Sequence, residues 1–254
     1  MTWVTAVSAR VPIAALVLAA AAGAPAIGRA QSAGDGFLFH PRRGGLVVRG
    51  GFASATASGD LYSFLTDQFT LNKGDFGAPS VGVDLLVRVA PRIDVDLGMS
   101  YSASQKMSEF RHFVDLNDLP IQQTTTLTRL PMTAGVRLYL VPPGRSIGEF
   151  AWVPTKIVPY VGAGGGMMWY RFQQKGDFID FQTTDVFPDV FASHGTAGTA
   201  HALAGVDYSL NPRLAVNGEA RYTWAKGQLG TDFTGFNGID LSDFGITIGL
   251  NVRF

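Results

Sequence analysis

Residues 243–254 read Asp-Phe-Gly-Ile-Thr-Ile-Gly-Leu-Asn-Val-Arg-Phe, and this stretch decides the fold. Every second residue from Phe244 to Phe254 is apolar, and the residues between them are small or polar. Because successive side chains of a β-strand point to opposite faces, the pattern predicts a strand with one fully apolar face. Its length suits a tilted strand crossing a membrane, which needs about ten residues.

The same alternation recurs along the chain. It is clear over about 80–89, 93–102, 129–140, 201–210 and 214–224, and weaker at about 44–56 and 157–173. These segments bring the total to eight strands, an even number as in single-chain bacterial barrels. Only a closed barrel lets strands cross hydrocarbon without unpaired backbone groups. The predicted fold class is therefore all-β, an eight-stranded antiparallel up-and-down transmembrane β-barrel.

The composition excludes several classes of function. The 254 residues include no Cys, which rules out disulfides, thiolate metal sites and a cysteine nucleophile. Basic and acidic residues balance at 20 each, so we expect no nucleic-acid partner. We predict no cofactor and no metal site, because the four loop carboxylates lack the spacing of a calcium loop. These are Asp177, Asp180, Asp185 and Asp189.

The N-terminus is typical of a secretory signal peptide. Arg10 precedes an apolar run that extends to Ala22, and Gly28-Arg29-Ala30 supplies small residues for a cleavage site. We predict a signal peptide over residues 1–30, with cleavage after Ala30 or alternatively after Ala26, and a barrel over residues 31–254. Removing Arg10 and Arg29 would leave 18 basic against 20 acidic residues in the exported chain.

The connections between strands alternate in length, which predicts the orientation. Short periplasmic turns are expected at 90–92 and 211–213, with a longer one at 141–156. The predicted surface loops are 57–79, 103–123, 174–197 and 227–241. The first of them is apolar enough to form a short amphipathic element on the barrel rim or a ligand-facing lip. Its apolar residues are Leu61, Tyr62, Phe64, Leu65, Phe69 and Leu71.

Alternation also predicts which charged side chains face the lumen. Each of them falls between outward apolar neighbours on its strand. They are Asp84, Arg88, Asp94, Asp96, Arg129, Arg137, Asp207, Glu219, Arg221 and Arg253. Eight strands enclose an interior that side chains can just fill. An ion-paired plug is therefore the favoured interpretation, and a water-filled ion path is the alternative.

Aromatic residues near the outer ends of strands predict a girdle at the membrane interface. They are Tyr101, Trp169, Tyr170, Tyr222 and Trp224. The interpretation assumes that they lie at a shared depth, whereas packing in the core is the alternative for any one of them.

The whole pattern resembles the small outer-membrane β-barrel family that includes the OmpA, OmpX and OmpW types. The residues that carry the resemblance are the signal peptide, the strands, Pro159–Gly164 and the final Asn251-Val252-Arg253-Phe254. It covers about 44–254 and implies location in the cell outer membrane, in contact with outer-membrane lipid and lipopolysaccharide. It also implies that Leu250, Val252 and Phe254 form the signal read by the barrel-assembly machinery.

For function, we predict a structural or surface-interaction role, with the lumen closed by its ion pairs. A narrow pore or a lateral conduit for small or apolar solutes is the alternative, and a lipid A-modifying enzyme is the least favoured one. A triad of His201, Ser209 and Glu219 fails on geometry, because eight residues of strand separate His201 from Ser209 by roughly 25 Å. We therefore predict no enzymatic activity, and the extracellular ligand stays unidentified.

Deleting Phe254 should lower the yield of barrel in the outer membrane, because the assembly signal loses its terminal aromatic residue. The fraction that inserts should remain heat-modifiable on gels, since no interior contact is predicted for this residue. Quantitative blotting of outer-membrane fractions measures the yield. Normal insertion of the deletion variant would contradict an assembly role for Phe254.

Overall fold

A computed structural model describes residues 37–38, 40–114, 118–147, 151–180, 183 and 185–254. The predicted signal peptide, residues 1–30, lies outside the described residues. Within the described ranges, no helix is long and apolar enough to cross a membrane. The largest structural feature is a ring of eight long strands, which are β1 (Gly44–Ala55), β2 (Ala78–Ala90), β3 (Ile93–Val114), β4 (Pro120–Tyr139), β7 (Ile157–Ile179), β8 (Val186–Ser209), β9 (Leu214–Gly227) and β11 (Asp243–Arg253).

The eight strands form one closed antiparallel sheet. Consecutive strands of the ring pair with each other, β8 pairs with β9, and β11 pairs with β1. The described residues form one compact unit. The predicted eight-stranded antiparallel barrel is confirmed.

The pairing register determines the tilt of the strands. Following paired residues once around the ring from Trp224 leads back to the same strand at Leu214, ten residues away. This stagger, over eight strands spaced about 4.8 Å apart, corresponds to a tilt of about 40°. A barrel of this size has an interior that side chains fill.

The two faces of each strand follow the predicted alternation. On β11, Ile246 and Ile248 are 61% and 67% exposed on the outer face, whereas Asn251 is fully buried inside. On β4 and at Leu140 directly after it, the outward residues are apolar from Leu130 onward, and they are threonines at 124, 126 and 128. Ten residues at about 3.3 Å and a tilt of about 40° give an apolar band about 25 Å tall, which matches the hydrocarbon layer that outer-membrane barrels span.

Short turns join the strands at one end of the barrel and long connections join them at the other. We call these the turn end and the loop end. The connection at 141–156 in the turn end contains a small hairpin of β5 (Gly144–Ile147) and β6 (Ala151–Pro154). The first long connection contains helix α1 (Asp60–Gln68), and the last one contains the short strand β10 (Ile239–Asp240).

Two of the predicted loops are mostly strand. Pairing of β3 with β4 continues past Ser102↔Arg129 to Glu109↔Gln122, and β7 pairs with β8 as far as Ile179↔Val186. The loop predictions at 103–123 and 174–197 were therefore wrong over most of their length. Beyond the apolar band the outer face of a strand is polar, and its inner face mixes apolar residues, such as Phe172, with polar ones, such as Gln123 and Thr125. The sequence there no longer shows an apolar residue at every second position, although the hydrogen-bonded ladder continues. We call β3, β4, β7 and β8 together the tall wall.

Val136→Arg places a charge on the outer face of β4, where Val136 is 49% exposed toward lipid. We expect the free energy of folding into phospholipid vesicles to become less favourable by about 2–4 kcal/mol. Thr126→Arg is the matched control, because it lies ten residues away on the same face and beyond the apolar band. Equilibrium folding in urea measures both variants, and equal costs would contradict the assigned membrane boundary.

Candidate functional site

The interior of the barrel contains a network of buried ion pairs. Arg49 binds Asp84 through two contacts, Nε to Oδ2 at 2.6 Å and Nη2 to Oδ1 at 2.9 Å. Asp84 is completely buried. Charge-assisted bidentate pairs of this kind are among the strongest hydrogen bonds in proteins, and pairing is what makes a buried charge tolerable.

Arg137 connects opposite sides of the lumen. Its Nη2 donates to Asp96 at 2.9 Å and to Glu219 at 3.1 Å, and these acids stand on β3 and β9. Its guanidinium lies 4.2 Å from the centroid of the Tyr160 ring. Arg221 also contacts Glu219, at 3.0 Å. The network therefore ties together strands that are not neighbours in the sheet.

A second group of charges lies near the turn end. Asp94 accepts hydrogen bonds from Arg88 and from the Tyr139 hydroxyl, and it pairs with Arg42 at 3.2 Å. The Arg42 guanidinium also lies 4.9 Å from the centroid of the Tyr139 ring. Arg42 precedes β1, so the segment leading into the barrel places a cation inside it.

The structure places all ten sequence-predicted lumen charges on the inner side of the wall. Each takes part in an ion pair. Sequence reasoning did not assign three of their partners, which are Arg42, Arg49 and Asp243. Arg49 stands between Val48 and Gly50, and Val48 is exposed on the outer face. The alternation of inward and outward side chains along a strand could therefore have predicted that Arg49 faces the lumen.

Toward the loop end the interior becomes apolar, because the first long connection folds over the mouth of the barrel. We call residues 56–77, which include α1, the cap. Leu61, Tyr62 and Leu65 of α1 are buried in one cluster with inward residues of the strands. The Tyr62 ring packs edge-on against Phe76 of the same connection, with centroids 4.8 Å apart. The predicted amphipathic element is thus a helix, and it packs within the mouth.

Hydrogen bonds join the cap to the last long connection. Asp60 accepts from the backbone amide of Asn237 at 2.8 Å, and Asp240 accepts from the Ser58 hydroxyl at 2.6 Å. The Tyr62 hydroxyl donates to the carbonyl of Asp240 at 2.8 Å. These contacts hold the helix in place by its first turn.

A cavity of about 40 Å³ lies beside the ion-pair network, next to Arg49, Arg221 and Asp243. Its lining includes Arg49, Arg221, Pro131 and Thr133. A space of this size holds only a few water molecules. Among the described residues, no three acidic or histidine side chains are grouped as a metal site would require.

The family model described as "Outer membrane protein beta-barrel domain" matches residues 13–254. The chain belongs to this family. Its members are outer-membrane proteins, and the cell outer membrane is therefore the location of this barrel. Both the predicted family resemblance and the predicted location are confirmed.

Several solved barrels are similar to this outer-membrane barrel. Neisserial surface protein A is 14% identical, with 87% of this chain and 98% of that chain covered and a TM-score of 0.44. OprG from Pseudomonas aeruginosa is 17% identical, with 85% and 99% covered and a TM-score of 0.42. Ail, the attachment invasion locus protein of Yersinia pestis, is 13% identical, with 84% and 99% covered and a TM-score of 0.41. No curated protein matches the sequence.

Four of the five residues assigned to the aromatic girdle of this outer-membrane barrel face outward. They are Tyr101, Trp169, Tyr222 and Trp224. Tyr170 was assigned wrongly, because it is 1% exposed and its hydroxyl donates to the carbonyl of Gln228 inside the barrel. It follows Trp169 directly on the strand, so its side chain points to the opposite face. A Cβ on Gly227 would lie 2.6 Å from the Tyr170 ring, so glycine makes room for it.

The residues assigned to the assembly signal lie on the outer face of β11, where Leu250 and Val252 point away from the interior. The carbonyl of Phe254 accepts hydrogen bonds from the amides of Arg43 and Gly44, at 2.7 and 3.0 Å. The last residue of the chain thus bonds to the start of the first strand. An assembly role for this face stays a prediction.

The two carboxylates that hold the cap give it an expected pH dependence. A backbone hydrogen bond from Asn237 lowers the pKa of Asp60. Burial alone would raise the pKa of Asp240, but hydrogen bonds from Ser58 and Ser242 outweigh it and lower the pKa. A group with a lowered folded-state pKa stabilises the fold only while it is ionised, so its contribution is lost as pH falls through that lowered value.

We therefore expect the cap to stay closed at neutral pH and to loosen below about pH 4. The opening of the cap is measured by the hydrogen-exchange protection factors of residues 57–77 in the folded barrel, taken at each pH relative to the intrinsic exchange rate at that pH. Asp240→Asn should loosen the cap already at neutral pH. Asp67→Asn is the control, because it removes an exposed carboxylate of the same helix that makes none of these bonds. Protection factors of residues 57–77 that do not change with pH would contradict this role for the two carboxylates.

Proposed function

We propose that this outer-membrane barrel is a closed, non-enzymatic protein whose role is structural or surface-interacting. The observation that carries the proposal is the filling of its interior by two different layers in series. The ion-pair network occupies the half toward the turn end, and the cap occupies the mouth at the loop end. A solute path along the axis would have to cross both layers.

The proposal includes an orientation, with the turn end in the periplasm and the loop end at the cell surface. Short turns and long loops are distributed in this way in bacterial outer-membrane barrels. The tall wall then rises above the outer leaflet. Because its ladder stays hydrogen-bonded as far as Gln123↔Gly176 between β4 and β7, it presents a rigid surface outside the cell.

The absence of enzymatic activity is part of the proposal and is supported by the position of the one interior histidine. His201 is 4% exposed, and a Cβ added to the adjacent Gly164 would lie 2.8 Å from its ring. Ser209, eight residues away, uses its hydroxyl to donate to Thr155 and to accept from Arg253. His201 and Ser209 therefore take part in separate contacts and do not form a base–nucleophile pair.

A lateral conduit is the second candidate, because one position in the wall is weakly paired. Between β3 and β4 the paired residues Met99↔Met132 and Ser102↔Arg129 flank two positions without ladder pairing. One of these positions is Pro131, which has no backbone N–H to donate. Pro131 also lines the 40 Å³ cavity, so a passage through the wall would start there.

Conductance in planar bilayers tests whether the lumen is closed. The wild-type barrel should carry no stable current. Arg137→Ala should also stay closed because the cap remains, and Leu61→Ser with Leu65→Ser should stay closed because the ion pairs remain. Only the combined variant should conduct, since two closures in series must both open.

Heat modifiability confirms that each variant has folded before its current is recorded. A stable wild-type current would overturn the closed lumen. Uptake of an apolar dye by wild-type vesicles, abolished by Pro131→Val, would favour the lateral conduit instead.

A further inference from the structure

The outer face of the tall wall changes character abruptly at Trp169. Below it on β7, toward the turn end, the outward residues are apolar or small, as at Val161 and Met167. Above it the outward residues are Arg171, Gln173, Lys175 and Asp177. A lipid-facing surface therefore ends at Trp169, and the same face continues into polar surroundings.

Two cations on this face form no ion pair with any residue that the structure describes. Arg171 lies in one row with Thr128 and His194, and Lys175 lies in the row of Thr124. Both side chains are exposed, and neither forms an ion pair with any described residue. This contrasts with the arginines of the lumen, which are paired with acids. Unpaired cations beside a lipid surface provide a site for anionic groups.

A groove of about 580 Å³ opens on the same face, directly above Arg171. Its lining is dominated by amide and hydroxyl groups, which donate and accept hydrogen bonds and match the hydroxyls of sugars. The lining includes Gln122, Thr124, Thr126, Gln173 and Lys175, together with the carboxylate of Asp177 next to Lys175 on the same face of β7.

The height of the groove discriminates between the lipids that could occupy it. Lys175 follows Trp169 by six residues, which places it about 15 Å higher at about 3.3 Å per residue and a tilt of about 40°. The headgroup layer of a phospholipid leaflet is only about 7 Å thick. An occupant that reaches both cations must therefore extend well above a phospholipid headgroup, as a glycolipid does that carries phosphate near the hydrocarbon and sugars above it.

We propose that this face, formed by Arg171, Lys175 and the groove between β3, β4 and β7, binds the phosphorylated glycolipid of the outer leaflet. Arg171 binds a phosphate near the membrane surface, Lys175 binds a second anionic group on the sugars, and the groove accepts the sugars themselves. The site rests on the proposed orientation, because the glycolipid reaches it only if the loop end is outside the cell.

The test is binding of the purified, folded barrel to lipopolysaccharide with a phosphorylated inner core. The variant Arg171→Gln with Lys175→Gln should bind at least tenfold more weakly than the wild type, and dephosphorylated lipopolysaccharide should bind the wild type correspondingly weakly. Lys73→Gln is the matched control, because it removes an exposed cation from the cap at the same end of the barrel. It should bind as the wild type does.

Two results would overturn the site: unchanged affinity in the double variant, or an equal loss of affinity for phosphatidylglycerol vesicles, which would indicate a general charge effect. The orientation is tested separately. The chain has no native cysteine, so Lys73→Cys can be labelled on intact cells with an impermeant maleimide. Lack of labelling would refute the orientation with the loop end outside the cell. Binding of lipopolysaccharide by the purified protein would still test the site in that case.

Discussion

The structure depends on one constraint, the need of every backbone N–H and C=O group in hydrocarbon for a partner within the protein. The chain meets this constraint by pairing its first wall strand with its last, along a register that runs from Gly45↔Arg253 to Ala55↔Asp243. The hydrogen bonds from Arg43 and Gly44 to the carbonyl of Phe254 complete the seam. Closure with a stagger of ten residues then determines the strand tilt and the width of the lumen.

That narrow lumen dictates how the charges are arranged. A charge withdrawn from water is tolerable only with a close partner, and removing one member of such a pair is strongly destabilising. Arg137 joins β4 to β9 through Glu219, and Arg129 joins β4 to β11 through Asp243 at 2.9 Å, so both arginines connect strands that are not adjacent in the ring. The ion pairs therefore brace the barrel across its interior as well as filling it.

The second determinant is the unequal height of the wall. Four strands of 20 to 24 residues stand beside four of 11 to 14, so one side rises beyond the apolar band. The inner face of this extension supports the cap, as Phe110 shows by packing against Phe69 with ring centroids 4.4 Å apart. Its outer face is free, and there Arg171 and Lys175 meet whatever surrounds the barrel. The same strands thus support closure on one side and recognition on the other.

The sequence by itself determined the eight strands and the inner or outer side of each residue within the membrane, because hydrocarbon requires an apolar side chain at every second position. For this reason the inward direction of Arg137 and Glu219 could be predicted. The same alternation, applied consistently, would have placed Tyr170 inside the barrel and not in the aromatic girdle. Only the tertiary structure decided which charges meet, how far the strands continue beyond the membrane and where α1 packs. Pairing across the lumen follows from the closure and stagger of the whole ring, which no local period encodes. Outside the apolar band the outer face of a strand is polar and its inner face mixes apolar residues, such as Phe172, with polar ones, such as Gln123. The signal that identifies a strand in the sequence is therefore lost there, while its hydrogen bonds persist.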